Sequence, residues 1–187
     1  MVNMAKLIIG LAGEIAAGKT FSTRYLADQY QAETFRFSTP LRDIASRLYL
    51  PETRENLAKM SLALRQTFGE ELFSRVIAHD AERAKADLVV IDGVRRLPDI
   101  AALKSLPQFC FVYLEAEPKI RHSRLVVRGE NHDDNSKTWE QFQQDHQLET
   151  EQQIRQLKES ADVVITNDGD KAQLFQALDD LVQKRRG

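Results

Sequence analysis

Between an apolar run and a helical pattern the chain reads Gly13-Glu14-Ile15-Ala16-Ala17-Gly18-Lys19-Thr20, a match to G-x-x-x-x-G-K-[ST]. No other feature constrains the fold so tightly. A phosphate-binding loop of this type needs a buried strand before it and a helix after it. Both are present: Lys6–Leu11 is apolar and too short for a helix, and residues 20–30 set Phe21, Tyr25 and Leu26 on one helical face. The glycines let backbone N–H groups converge on phosphate oxygens, and the helix N-terminus adds its positive dipole. The loop residues Gly13, Glu14, Ile15, Ala16, Ala17, Gly18, Lys19 and Thr20 are therefore the expected ATP contacts. Lys19 is expected to reach the β- and γ-phosphates, and the Thr20 hydroxyl to ligate Mg²⁺.

Short apolar runs recur along the chain. Ala32–Phe37, Leu88–Ile91, Phe109–Leu114 and Val163–Ile165 join the first run as predicted strands, the second being the weakest. Helical patterns lie between them: a helix with Pro40 in its first turn, two helices over 52–86 broken near Gly69, then 97–105, 117–128, 138–159 and 170–185. Strand–helix alternation predicts an α/β fold, a five-stranded parallel sheet flanked by helices on both faces. The 187 residues predict a single domain over 1–187, since roughly 150 residues make one domain.

A net charge of -2 argues against binding nucleic acid through bulk charge. The charge is uneven, and 13 of the 16 arginines precede residue 129, which points to a local anion site. Cys110 is the sole cysteine and sits in an apolar run, so it reads as a buried strand thiol. The four histidines, His79, His122, His132 and His146, have no metal-ligand spacing. No apolar run approaches the roughly 20 residues of a membrane span, and the N-terminus does not read as a signal peptide. A soluble, cytoplasmic protein is expected, without nucleic-acid or membrane partners and monomeric or a small homo-oligomer.

The run Leu88-Val89-Val90-Ile91 ends in Asp92. Beside a phosphate-binding loop, a carboxylate at a strand end is expected to hold Mg²⁺. Arg42, Arg65 and Arg95 follow the second strand, precede Gly69 and follow Asp92 respectively. In a parallel α/β topology all three can converge on an acceptor, where the planar guanidinium grips phosphate bidentately. Arg96 reads as a solvent-facing neighbour. Arg121, Arg124 and Arg128 share a helix at i, i+3 and i+4 spacing, and such a cluster repels itself unless it faces an anion. Pairing with Glu117 accounts for Arg121, so Arg124 and Arg128 are the expected catalytic cations, with Lys19 and Asp92.

These stretches also carry a family resemblance that spans the chain. Ile9–Thr20 resembles the opening of dephospho-CoA kinases, and Thr166-Asn167-Asp168-Gly169 is similar to their adenine-side loop. Phe37-Ser38-Thr39-Pro40-Leu41-Arg42 resembles the adenylate-kinase segment that meets the acceptor nucleotide. Ile91-Asp92-Gly93-Val94-Arg95 looks like the strand-Asp-x-x-Arg element of archaeal adenylate-kinase-like and deoxynucleoside monophosphate kinases. Arg124 and Arg128, followed by Gly129 and Asp133-Asp134, resemble a nucleotide-kinase lid, here over approximately 121–137. The resemblance implies a P-loop nucleoside monophosphate kinase fold, ATP contacts at Asn167 and Gly169, and an acceptor contact at Ser38.

The function expected is ATP- and Mg²⁺-dependent phosphoryl transfer to a small phosphorylated metabolite, in particular a nucleoside or deoxynucleoside monophosphate. A dephospho-CoA kinase is the rival in the same class. It suffers from the lack of an acid between Arg36 and Arg42 that could take a proton from a hydroxyl acceptor. A P-loop nucleotide switch or regulatory ATPase is the rival in another class, and it would not need the arginine-rich acceptor side.

Overall fold

The computed structural model describes residues 7–128 and 134–186, apart from the side chains of Arg128, Asp134 and Thr150. Five strands, β1 (Leu7–Ala12), β2 (Glu33–Arg36), β3 (Leu88–Asp92), β4 (Phe109–Glu115) and β5 (Val163–Thr166), form one sheet in the order β2-β3-β1-β4-β5. All four pairings are parallel. The central strand β1 is buried at every position, because helices cover both faces and an apolar side chain is wanted on each. The edge strand β2 is largely exposed, which is why its apolar signal is weak.

Successive residues of β1 feed opposite faces, as the period of two requires. Leu7, Ile9 and Leu11 pack with Leu26 of α1 (Lys19–Tyr30) and with Leu174, Leu178 and Val182 of α9 (Lys171–Arg186). Ile8 packs on the other face with Val89, Ile91, Phe111 and Tyr113. Helix α4 (Leu72–Arg83) covers that face through Ile77, Ala78 and Ala81, and Ile154 and Leu157 extend the cover. Cys110 lies in the first layer, 1% exposed.

Helices α2 (Thr39–Arg47) and α3 (Arg54–Phe68) lie between β2 and α4, with Pro40 in the first turn of α2. Two predicted helices are shorter than their patterns suggest. Over 97–105 only α5 (Leu97–Ile100) is α-helical, followed by a 3-10 turn at Leu103–Ser105. The Ala102 N–H donates to the Ser74 hydroxyl on α4 at 3.0 Å, a tertiary bond that replaces a helical one. After α6 (Pro118–Arg128), the long pattern over 138–159 divides into α7 (Trp139–Asp145), α8 (Glu149–Gln156) and a 3-10 turn at Leu157–Ser160. Thr138 starts α7 with a capping box, and Trp139 packs on Phe142 and His122. The break after α7 lets the Arg155 guanidinium donate to the His146 carbonyl, and it turns both residues toward Glu14. Periodicity cannot see a break that long-range contacts impose.

Among the described residues, no helix is long and apolar enough to cross a membrane.

Candidate phosphate-transfer site

The turn from β1 into α1 has no freedom to be other than glycine at two positions. A Cβ on Gly13 (φ +146°) would stand 2.2 Å from the Leu114 carbonyl oxygen. On Gly18 (φ +113°) it would stand 2.4 Å from Asn167 Nδ2. Helix α1 begins at Lys19 with no side-chain cap and no acid in its first turn. Its first N–H groups are the orphan donors that a helix start presents, and the local potential is positive, so the arrangement suits a phosphate. The Lys19 ammonium folds back over the loop, donating to the Gly13 and Glu14 carbonyls at 2.5 and 2.9 Å. Thr20 is exposed beside it.

Asp92 ends β3, which runs alongside β1 with Ile91 opposite Gly10, so the carboxylate emerges at the same sheet edge as the loop. Its Oδ1 accepts the Gly93 N–H at 2.7 Å, and its Oδ2 stands 3.8 Å from Arg36 Nε.

The predicted acceptor residues are brought to the β2 and β3 side by different elements. Ser38 precedes α2 at its N-cap position, and its side chain makes no cap hydrogen bond. Arg42, on α2, is exposed and pairs with Glu52 at 2.7 Å. Arg95 is exposed beyond β3, while Arg65, near the end of α3, is half-buried and donates to Ser61 Oγ at 2.5 Å. Arg96 does not face solvent as expected. It pairs with Glu70 at 2.7 Å and with the buried Asp99 at 3.2 Å.

On the opposite side, Arg124 meets two of the expected nucleotide residues. Its guanidinium donates to the Asn167 carbonyl at 2.8 Å and the Gly169 carbonyl at 3.1 Å. It thus lies against the loop between β5 and α9. The Asn167 side chain is buried and donates to the Ala17 carbonyl at 2.9 Å, so it braces the phosphate loop from behind. Arg128 closes α6, but its side chain lies outside the described residues, as do residues 129–133 of the expected lid.

The sequence reading missed the group that holds the loop from the other side. Arg121, 1% exposed, donates from Nε to the Ala116 carbonyl at 3.0 Å and from Nη1 to the Ile15 carbonyl at 3.3 Å. Its Nη2 pairs with Glu14 at 3.2 Å, not with Glu117. Arg155 stands 3.6 Å and His146 3.9 Å from the other Glu14 oxygen. A carboxylate inside a phosphate-binding loop is the one signal that could have announced a buried cation. A cleft of about 450 Å³ adjoins this group, lined by Glu14, Tyr113, Glu115, Arg121, Arg155 and Lys158 among others.

Burial, then the Arg121 and Arg155 charges, hold the His146 pKa below its usual 6.5. The unfolded chain therefore takes up a proton near pH 6.5 that the folded protein resists, so stability declines as pH falls through that value. His146→Gln should flatten this part of the decline, as denaturant melts on either side of pH 6.5 will measure. An unchanged slope would exclude His146 as its source.

A family model described as an AAA domain matches residues 12–143. A UPF0200 protein of Thermococcus gammatolerans is 34% identical over 137 residues, 71% of each chain. One from Methanococcus maripaludis is 24% identical over 179 residues, 95% of this chain and 96% of its own. Shikimate kinase from Bacteroides thetaiotaomicron has the same fold, with a TM-score of 0.61 at 16% identity over 95% of this chain and 97% of that one. Shikimate kinase from Acinetobacter baumannii, solved with shikimate, gives 0.55 at 20% identity over 98% and 96%. The sheet order, the phosphate loop and these matches define a P-loop α/β fold, the fold that the two shikimate kinases share. By sequence, the chain belongs to the AAA domain family and to the UPF0200 proteins.

Proposed function

We propose that this protein transfers the γ-phosphoryl group of ATP, with Mg²⁺, to a small phosphorylated acceptor, in particular a nucleoside or deoxynucleoside monophosphate. The observation that carries the reading is the uncapped start of α1, with Lys19 above it, sharing one sheet edge with Asp92 and the arginine-bearing segments after β2 and β3. Lys19 and the loop N–H groups would bind the phosphates, while Thr20 and Asp92 would hold the metal. Mg²⁺ would neutralise charge on the transferring group. Ser38, Arg42, Arg65 and Arg95 would receive the acceptor.

The contact of Arg124 with the Asn167 and Gly169 carbonyls favours a role in holding the donor nucleotide's far end. Arg128 keeps the role of meeting transition-state charge. The 1–187 stretch is read as one kinase domain with its lid near 121–137.

A coupled assay of ATP consumption over a panel of nucleoside monophosphates, dephospho-CoA and shikimate tests the reading. Turnover should require both Mg²⁺ and a monophosphate. Turnover with dephospho-CoA or shikimate alone would replace the phosphate acceptor by a hydroxyl one. ATP hydrolysis indifferent to every acceptor would favour a switch.

A further inference from the structure

Two guanidinium groups from separate segments converge on one carboxylate oxygen. Arg96 Nη1 lies 2.7 Å and Arg65 Nε 3.5 Å from Glu70 Oε2. The two arginines are firmly held. Arg65 is tied to the buried Ser61 hydroxyl. Arg96 is tied to Asp99, which is 7% exposed and also accepts the Arg95 and Arg96 backbone N–H groups at 3.0 Å. The carboxylate is not held in the same way. The Glu70 side chain is 55% exposed and follows Gly69, whose φ of +98° and open surroundings suit a pivot between α3 and α4.

Arg65 Nε is buried and has no hydrogen-bond acceptor, since Glu70 stands too far off to serve as one. Fixed like charges side by side repel, and they call for an anion that uses both. Glu70 fills that place incompletely.

We propose that Arg65 and Arg96 form a socket for an oxyanion carried by the acceptor, and that Glu70 is its resident stand-in, displaced when the acceptor binds. This rests on the acceptor-side reading above and adds Arg96 and Glu70 to it. The ligand class is a small molecule bearing a phosphate or a carboxylate that can lie across two guanidinium forks. Arg96 follows Asp92 by four residues at the carboxyl edge of β3, so such an anion would be anchored on the acceptor side of the sheet. An internal competitor lowers apparent affinity by the fraction of time it fills the socket.

The experiment is a titration of wild type, Glu70→Gln, and Glu70→Gln/Arg96→Lys with inorganic phosphate and, separately, with acetate. The reporter is the arginine Nε–H nuclear resonance of Arg65, assigned with Arg65→Lys. Glu70→Gln should lower the half-saturating concentration of at least one anion about fivefold, the gain if Glu70 fills the socket roughly four-fifths of the time. The added Arg96→Lys should cancel that gain. Response to phosphate alone identifies a phosphorylated acceptor, and response to acetate alone a carboxylate one. Half-saturation unchanged or raised by Glu70→Gln, or a gain that survives Arg96→Lys, overturns the proposal. No turnover is read, so the socket can stand where the kinase reading fails. Conversely, a kinase active on monophosphates with an unresponsive Arg65 would sink the socket alone.

Discussion

Lys19→Ala should lower phosphoryl transfer by roughly two to three decades, the usual loss when one preorganised donor to developing charge is removed. The melting temperature should hardly move. The Lys19 ammonium contacts the Gly13 and Glu14 carbonyls at the mouth of the loop, and neither the β1 core nor the α1–α9 packing depends on it. The loss should fall mainly on turnover, because charge on the transferring group grows between bound ATP and the transition state. Single-turnover kinetics and a thermal melt of the same sample will separate the two effects. Near-normal turnover in the variant would remove the phosphate loop from the mechanism.

Arg121→Met should be the most destabilising substitution at this site. The Arg121 side chain is 1% exposed, and it serves Glu14 and the Ile15 and Ala116 carbonyls together. Removing one partner of a buried pair leaves a charge without compensation, at a cost of about 3–5 kcal/mol. In a chain of this length that lowers the melting temperature by roughly 10 °C. ATP affinity should fall as well, because the Ile15 carbonyl loses the donor that fixes this stretch of the loop.

Adding Glu14→Gln should recover part of the stability, since the stranded carboxylate is then neutral. The two changes will not add, as expected of partners in contact. If Arg121→Met melts like the parent, the buried pair contributes nothing and the loop is held by Asn167 alone.

How much of this could be read in advance depended on the range of the interactions. The G-x-x-x-x-G-K-T loop needs positive φ at Gly13 and Gly18, and only local chemistry is involved. The strands β1, β3 and β4 were legible for a similar reason: a strand buried on both faces must be apolar throughout, as β1 is. The strand β2, exposed along one edge, carried the faintest signal. Asp92 could be picked out because it ends an apolar run in a chain that also carries the G-x-x-x-x-G-K-T loop.

The arginines resisted such reading. Arg121, Arg124 and Arg128 sit on one helix and look alike in sequence, yet two of them part company in space. Arg121 is sealed against Glu14, 107 positions earlier, and Arg124 lies on the β5–α9 loop. Arg95 and Arg96 are adjacent, but the N-cap geometry of α5 leaves one exposed and turns the other onto Asp99 and Glu70. By itself the sequence determined the phosphate loop and the alternation of strands and helices, because backbone sterics and hydrophobic period act over a few residues. Only the tertiary structure decided which guanidinium meets which partner, because a long charged side chain takes its place from whatever anion the folded chain brings within reach.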